Sequence, residues 1–548
     1  MPQCLAGFLD SENAHWSHEP GRAALPRRPD IRAERQLGPT KVTGSALSRR
    51  EFLGCVGGAA AWGGVAAWAA LEAHAASEAR LQAGPLPRGA PLRVQPVLVY
   101  HLDQPRERTS WRAYGGLRTQ ADVQTEEQRL GQEVKALAAK AEFPTDFLPW
   151  ARITNDAEAA TVAAGSGDVL LVFGASGSQQ WLEKLAASNK PVVLFVRHKS
   201  GPVYLWYEIA HWRLLRKSED TMKEPNLSVD DVVVDDYEEV LWRLRALHGL
   251  RNTRGTRMLA VGGLAAYSAP AHQLGPDHAK NVWGCDYKTV SHEELIRRLE
   301  QARANAPLMA EVSRQADELL AQPNVSLQTE RKFVVNSFLA VKVFKDLMRE
   351  AGATNLGVAQ CMGGLIPILD TPPCLATSLI NDEGLTAFCH TDFSHTLPGV
   401  LLRWISNQPS WVCNSHFPHA GQVTLAHCAA PRKMNGHDCE PTIIMTHYES
   451  DYGAATKVRY PKGQALTCVI PNLHFTKWFG FRAKVLDSPA FDMCRSQMDV
   501  AIEGDWRRLL REMEGFHTVV SYGDWLREVG YAVRKTGALR WENVSEQA

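Results

Sequence analysis

The chain has 548 residues, with 60 basic side chains against 60 acidic ones, 22 % charged residues and 45 % hydrophobic ones. This is globular composition, which excludes disordered, collagenous and coiled-coil classes. A formal net charge of zero excludes a general polyanion binder, so no nucleic-acid partner is expected. Residues 48–54 read Ser-Arg-Arg-Glu-Phe-Leu-Gly, followed by a weakly apolar Gly/Ala stretch from Cys55 to Ala70 and then Ala73-His74-Ala75. Basic pair, apolar segment and small-residue site in that order predict a twin-arginine export signal. The mature chain then starts near Ala76, is handed to the twin-arginine machinery and ends in the periplasm or outside the cell. No CxxC pair, Walker A or GxSxG motif occurs, which removes the main support for P-loop and serine-hydrolase chemistry.

From about 93 to 290 short apolar runs alternate with amphipathic stretches. Val94–His101, Asp168–Gly174, Pro191–Val196 and Arg257–Gly262 read as strands, and Glu126–Lys140, Gln180–Ser188 and Tyr237–Leu247 as helices. Alternation of this kind predicts a parallel α/β sheet, and unbroken apolar strands predict one covered on both faces. Ser291–Gln301, Leu308–Leu320 and Glu330–Ala351 read as helices and Asn355–Cys361 as a strand. Breaks at 267–276 and 321–328 suggest boundaries. After about 360, glycines, prolines and short β-rich runs (Gln422–His427, Thr442–Thr446, Lys457–Tyr460, Gln464–Ile470) predict an antiparallel, barrel-like domain, with helical spacing returning at Asp505–Met513. The expected organisation is a leader at 1–76, an α/β domain at 77–270, a second, more helical α/β domain at 271–370 and a β-rich domain at 371–548.

Nine of the nineteen histidines fall between His390 and His517. Histidine titrates near neutrality and is the commonest metal ligand, so this clustering carries chemical meaning. In Phe388-Cys389-His390-Thr391-Asp392, His390 and Asp392 would share one face of a strand, an arrangement suited to a divalent transition metal. His416 and His419 flank Pro418 and would converge across a tight turn. His517 opens an apolar run, where a histidine lines a domain edge.

Several of these segments resemble the L-fucose/L-arabinose isomerase superfamily. The similarity rests on Pro373-Cys374, Ser378-Leu-Ile-Asn-Asp-Glu-Gly384 and Cys389-His-Thr-Asp392, then Leu425-Ala-His-Cys-Ala-Ala-Pro431, His447–Gly453, Cys494-Arg-Ser-Gln497 and His517-Thr-Val-Val520 with Gly523-Asp524. The resemblance implies two Rossmann-like α/β domains followed by a C-terminal antiparallel barrel-like domain, in a homo-oligomer. It implies a small-molecule sugar as substrate, interconverted between aldose and ketose through an enediolate. It also implies a divalent metal, typically Mn²⁺, chelating two neighbouring sugar oxygens. Carried over by position, Asp392 and His517 match metal ligands, and His416 matches an intermediate histidine less closely. His427, His447 and Arg495 fall at pocket-associated positions that would contact substrate. His390 replaces the glutamate of the family's Glu-x-Asp motif and becomes the candidate base, with Asp382 or Glu383 as candidate proton shuttles. Cys361–Gly364 stands where the family's other glutamate is expected. With both glutamates replaced, the donor set shifts towards Zn²⁺ or Fe²⁺. Two alternatives remain beside an isomerase. One is a non-catalytic exported sugar-binding protein, with Trp404, Trp411, Phe417, Tyr448 or Trp478 stacking on sugar rings. The other is an epimerase or lyase acting on an oxidised sugar.

Overall fold

The computed structural model describes residues 81–82, 88–216 and 226–546. The export signal and leader lie outside these residues. Ala79–Ala548 forms one unit by contacts.

Strands β1 (Leu92–Val99), β2 (Thr145–Phe147), β3 (Ala151–Ile153), β4 (Val169–Gly174), β5 (Val192–Val196) and β6 (Val232–Val234) form a parallel sheet in the order β2-β1-β4-β5-β6, with β3 also beside β1. β4 and β5 are buried at every residue, as their continuous apolar runs predict. Helix α1 (Gln120–Lys140) is set by a capping box between Thr119 and Asp122, each side chain bonding the other's backbone N–H. It buries Val123, Leu130, Val134 and Leu137 at helical spacing against the sheet core.

Helix α2 (Tyr237–Thr253) leads to a second parallel sheet built from β7 (Arg257–Val261), β8 (Asp286–Val290), β10 (Asn355–Val358) and β11 (Thr386–Phe388), in the order β11-β10-β7-β8. The break expected at 267–276 is instead the first half of helix α3 (Ala269–Trp283). Ser268 caps it, and Pro270 sits in its first turn, where no amide bond is lost. The second expected break contains strand β9 (Val325–Gln328), which leaves this sheet for another. Helix α4 (Arg331–Ala351) covers the sheet, burying Phe333, Leu339, Phe344 and Leu347.

Helical structure does not thin after 360. Helices α5 (Cys374–Asp382) and α6 (Phe393–Ser406) follow, both almost wholly buried. In α6, Pro398 and Gly399 obscure the helical signal. Gly399 is needed for packing, because a Cβ there would meet the Phe388 ring at 2.6 Å.

Beyond α6 come β12 (Trp411–Ser415), β13 (Gln422–His427), β14 (Thr442–Met445), β15 (Ala455–Val458), β16 (Ala465–Pro471), β17 (Lys477–Asp487), β18 (Ser496–Glu503) and β19 (His517–Tyr522). β14 pairs parallel with β9 and antiparallel with β15. The other six form a closed antiparallel barrel in the order β16-β19-β12-β13-β18-β17, completed by β16 on β17. Its interior holds Trp411, Leu425, Cys468, Phe479, Met498 and Val520, all buried. Strand β20 (Arg540–Asn543) adds parallel to β17 after helix α7 (Leu526–Arg534). The chain is thus a mixed α/β protein with parallel sheets and a closed six-stranded barrel towards its C-terminus.

Candidate functional site

The carboxyl ends of the second parallel sheet meet the ends of barrel strands, and histidines from both gather at that junction. His390 lies two residues past the end of β11. His427 is the last residue of β13 and His517 the first of β19. The expectation that His390 and Asp392 share a strand face fails, because β11 stops at Phe388 and residues 389–392 form a loop into α6. That loop packs tightly on β10: a Cβ at Gly357 would lie 2.6 Å from the His390 carbonyl oxygen. Thr391 ties it to the loop after β7, its Oγ1 accepting the Ala265 amide at 2.7 Å.

The α6 helix then turns His395, in its first turn, back into the same cluster. Ring centroids are 4.8 Å apart for His390 and His517, 4.5 Å for His395 and His517, and 5.2 Å for His390 and His395. His427 Nε2 lies 3.4 Å from His390 Nε2. Tyr267 closes the rim, 5.0 Å from both His390 and His517, with Phe516 beside it. Burial pushes His390 and His517 well below the ordinary histidine range, and the neighbouring imidazoles push them further. Burial lowers His395 as well, and brings His427 down to about 4. At neutral pH the cluster is therefore four uncharged imidazoles.

Their tautomers are constrained. The Ala429 amide donates to His427 Nδ1 at 3.3 Å, which leaves the His427 proton on Nε2, directed at His390. His395 turns Nδ1 towards Asp392, 3.9 Å from Oδ2. The Nε2 atoms of His395 and His517 are buried with no hydrogen-bond partner among the described residues. Buried polar atoms are rarely left in that state, and a ligand or ion is one of the groups that satisfies them.

The residues expected from sequence divide into two sets. His390, His427 and His517 come together. Asp392 joins them as the N-cap of α6, accepting the Ser394 amide at 2.8 Å and facing His395. Its carboxylate stands behind the His395 ring, on the Nδ1 side. His447 and Arg495 lie beside Cys428, next to the cluster. Asp382 is elsewhere: its carboxylate accepts the Arg432 amide and Nε, each at 2.8 Å, and the Lys433 amide at 3.0 Å. Glu383 is exposed and paired with Lys345. His416 and His419 do not converge. Both are exposed, with Nδ1 at 3.1 Å from the Thr424 carbonyl and 3.0 Å from the Phe417 carbonyl respectively. Among the proposed stacking aromatics, Trp411 and Trp478 are core residues and Phe417 is exposed. Tyr448 lies under the Arg495 guanidinium at 5.2 Å.

Sequence reasoning missed His395, because its helix was not foreseen, and Tyr267, because the loop after β7 has no motif. It also missed a thiol group. The nine described cysteines are all free. Cys389 lies within hydrogen-bonding reach of Cys361 and Cys374, and Cys428 within reach of Cys494. Four of these five stand in the segments that carried the resemblance, which was the available signal.

Among the described residues, no three His, Cys, Asp or Glu side chains already converge on one point as metal ligands do. The donors that fit an ion are His395 and His517. Two imidazoles sharing a tetrahedral ion at about 2.0–2.1 Å per nitrogen have ring centroids roughly 5 Å apart. These two stand at 4.5 Å, with both Nε2 atoms unpartnered. Neutral nitrogen donors without a free carboxylate suit Zn²⁺ or Fe²⁺ better than Mn²⁺.

No protein-family model matches the chain, and no curated protein matches it.

Proposed function

We propose that the histidine centre is the reaction site of an exported enolising enzyme of the sugar-isomerase type, interconverting an aldose and a ketose. The observation that carries this reading is a cluster of four neutral imidazoles, three buried and His390 half-buried, two of them with Nε2 atoms unpartnered among the described residues, at the junction of a parallel sheet and a closed barrel. The order of two parallel sheets followed by a barrel is the layout that the superfamily resemblance implies, and in this reading the sheets belong to two Rossmann-like domains of a homo-oligomer.

His395 and His517 would hold a divalent ion, which when bound polarises a sugar carbonyl and favours the enediolate. Asp392 fixes the ring of His395 from behind, the usual role of a carboxylate on a ligating histidine. His390 Nε2, which accepts the His427 Nε2–H at 3.4 Å, exchanges that hydrogen bond for the proton that moves between the two carbons and then returns it. Tyr267, at the rim, presents a hydroxyl and a ring edge to the sugar. Asp382 and Glu383 have no part in the proton transfer.

The test is metal content by mass spectrometry after incubation with Mn²⁺, Fe²⁺ and Zn²⁺, with product analysis on pentoses and hexoses. About one ion per chain is expected, lost in His395→Ala and His517→Ala. His390→Gln should keep the ion and lose turnover. A chain that takes up no ion and forms no ketose overturns the reading. A second reading, a sugar-binding protein without turnover, is favoured by one feature: the carboxylate beside His395, Asp392, is occupied as a helix cap. Sugar binding without products would select it, whereas an epimerised or eliminated product from an oxidised sugar would redirect the chemistry.

A further inference from the structure

A second reactive group lies beside the histidine centre and plays no part in the reaction above. Cys428 follows His427 at the end of β13, and Cys494 stands in the loop that leads into β18. Both are free thiols, and Cys494 directly precedes Arg495, the residue whose backbone meets Cys428 Sγ. Cys428 Sγ accepts the Arg495 backbone N–H at 3.4 Å and a hydrogen bond from the His447 side chain. These donors are themselves anchored. The His447 amide donates to the Tyr452 carbonyl at 3.0 Å, and His447 Nδ1 is 3.3 Å from Ser450 Oγ. Arg495 Nε donates to the Thr446 carbonyl at 2.8 Å.

Three donors on one sulfur favour its thiolate. The bonds from Cys494, His447 and the Arg495 amide hold the Cys428 thiol well below the ordinary cysteine range, against the opposing effect of burial. The partner thiol, Cys494, is pushed up by its contact with Cys428 and by burial. The neighbouring Cys361 is pushed up by Cys389 and by burial. One sulfur of the five is thus set up as nucleophile. Cys428 is 1 % exposed, whereas Cys494 is half-buried in its loop, so a small reagent reaches the pair from the Cys494 side.

We propose that Cys428 and Cys494 are a two-electron redox couple, in which Cys428 attacks a small hydroperoxide and Cys494 resolves the product to a disulfide. In the first step the Cys428 sulfur bonds to the terminal peroxide oxygen and the O–O bond breaks. The sulfur is oxidised by two electrons to a sulfenic acid, and the peroxide leaves as alcohol or water after protonation. In the second step the Cys494 sulfur displaces the sulfenic hydroxyl, forming the S–S bond and releasing water. A dithiol reductant returns two electrons and restores both thiols. The disulfide would tie the loop before β18 to the end of β13, next to His427.

The experiment treats the full chain with hydrogen peroxide, alkylates the remaining thiols and maps the peptides. The expected main product is a peptide pair joined through Cys428 and Cys494, reversed by dithiothreitol. In Cys494→Ser the expected product is a dimedone adduct at Cys428. In Cys428→Ser, Cys494 should stay alkylatable. His447→Gln should slow oxidation of Cys428 by about tenfold at neutral pH while leaving the order of attack among the other thiols unchanged. Oxidation that falls first on Cys361, Cys374 or Cys389 overturns the proposal, as does a Cys428 still fully alkylated after the other thiols have reacted. The wild-type map decides even if a variant fails to fold. The readout is the thiol state, so it stands or falls apart from the metal and sugar reading.

Discussion

Two buried polar groups in this chain look alike by burial and differ in how they are satisfied. Between the first sheet and α1, Arg197 and Glu126 are 0 % and 1 % exposed. Arg197 Nε bonds Glu126 at 2.6 Å, Tyr204 bonds the same carboxylate at 2.6 Å, Arg129 adds a third bond at 2.8 Å, and Arg197 reaches on to Glu133. Opposite charges face each other and the principal donors have acceptors. In the histidine centre, groups of one kind face each other, burial strips them of charge, and two ring nitrogens have no partner among the described residues. The first arrangement is complete in the folded chain and reads as structure. The second leaves ring nitrogens unsatisfied among the described residues, and these are the atoms the proposed ion would engage.

The comparison breaks most visibly if Arg197→Met is harmless. Removing the guanidinium leaves buried Glu126 with the Tyr204 hydroxyl and with Arg129 as its one remaining positive partner among the described residues, and the expected loss is about 3 kcal/mol in urea unfolding, with metal uptake unchanged. Next in size is ligand-linked stabilisation at the other site. At a free metal concentration about 100 times Kd the wild type should gain about 2.7 kcal/mol, and His395→Ala and His517→Ala should gain nothing. Calorimetry with and without the ion reads this, and an equal gain in both variants would remove the two imidazoles from the ion.

Asp382→Asn should cost about 2 kcal/mol through the Arg432 bonds and leave metal uptake intact, placing this carboxylate with the structural class. The fourth effect concerns pH. Burial brings His248 down to about 4, below its unfolded value near 6.5. The unfolded state therefore binds the proton first, so the contribution of His248 is complete above about pH 6.5 and is lost as pH falls towards 4, by at most about 1.4 kcal/mol per unit. His248→Phe, packed on Phe143, should flatten the slope in that window by one proton and leave stability at pH 7 undiminished. The smallest effect is expected at Glu383→Gln. Its exposed pair with Lys345 should be worth less than about 1 kcal/mol, and turnover and metal content should not move.

How much of this was legible beforehand depended on how local the cause was. β4 and β5 could be read directly, because six and five consecutive buried apolar residues leave no amphipathic alternative. The histidine richness of 390–517 and the importance of His390, His427 and His517 were legible from spacing and motif. The role of Asp392 was not. It depends on β11 ending after three residues and on Asp392 finding the Ser394 amide, a capping choice made once Phe388 and Gly399 pack together. Asp382 looked reactive because acidic pairs at an expected turn often are. In the fold that segment is the end of a buried helix, and Arg432, fifty residues away, takes the carboxylate.

By itself, then, the sequence determined the local alternation of strands and helices, the β-rich character of the last quarter and the residue types from which the site is made. These follow from hydrophobic period, glycine and proline placement and side-chain chemistry, all of which act over a few residues. Tertiary structure alone decided that β19 pairs between β12 and β16, that α6 turns His395 into the cluster, and that Cys494 meets Cys428. These contacts join positions far apart in the chain, and they form only when burying apolar surface on both partners outweighs the entropy of closing the loop between them.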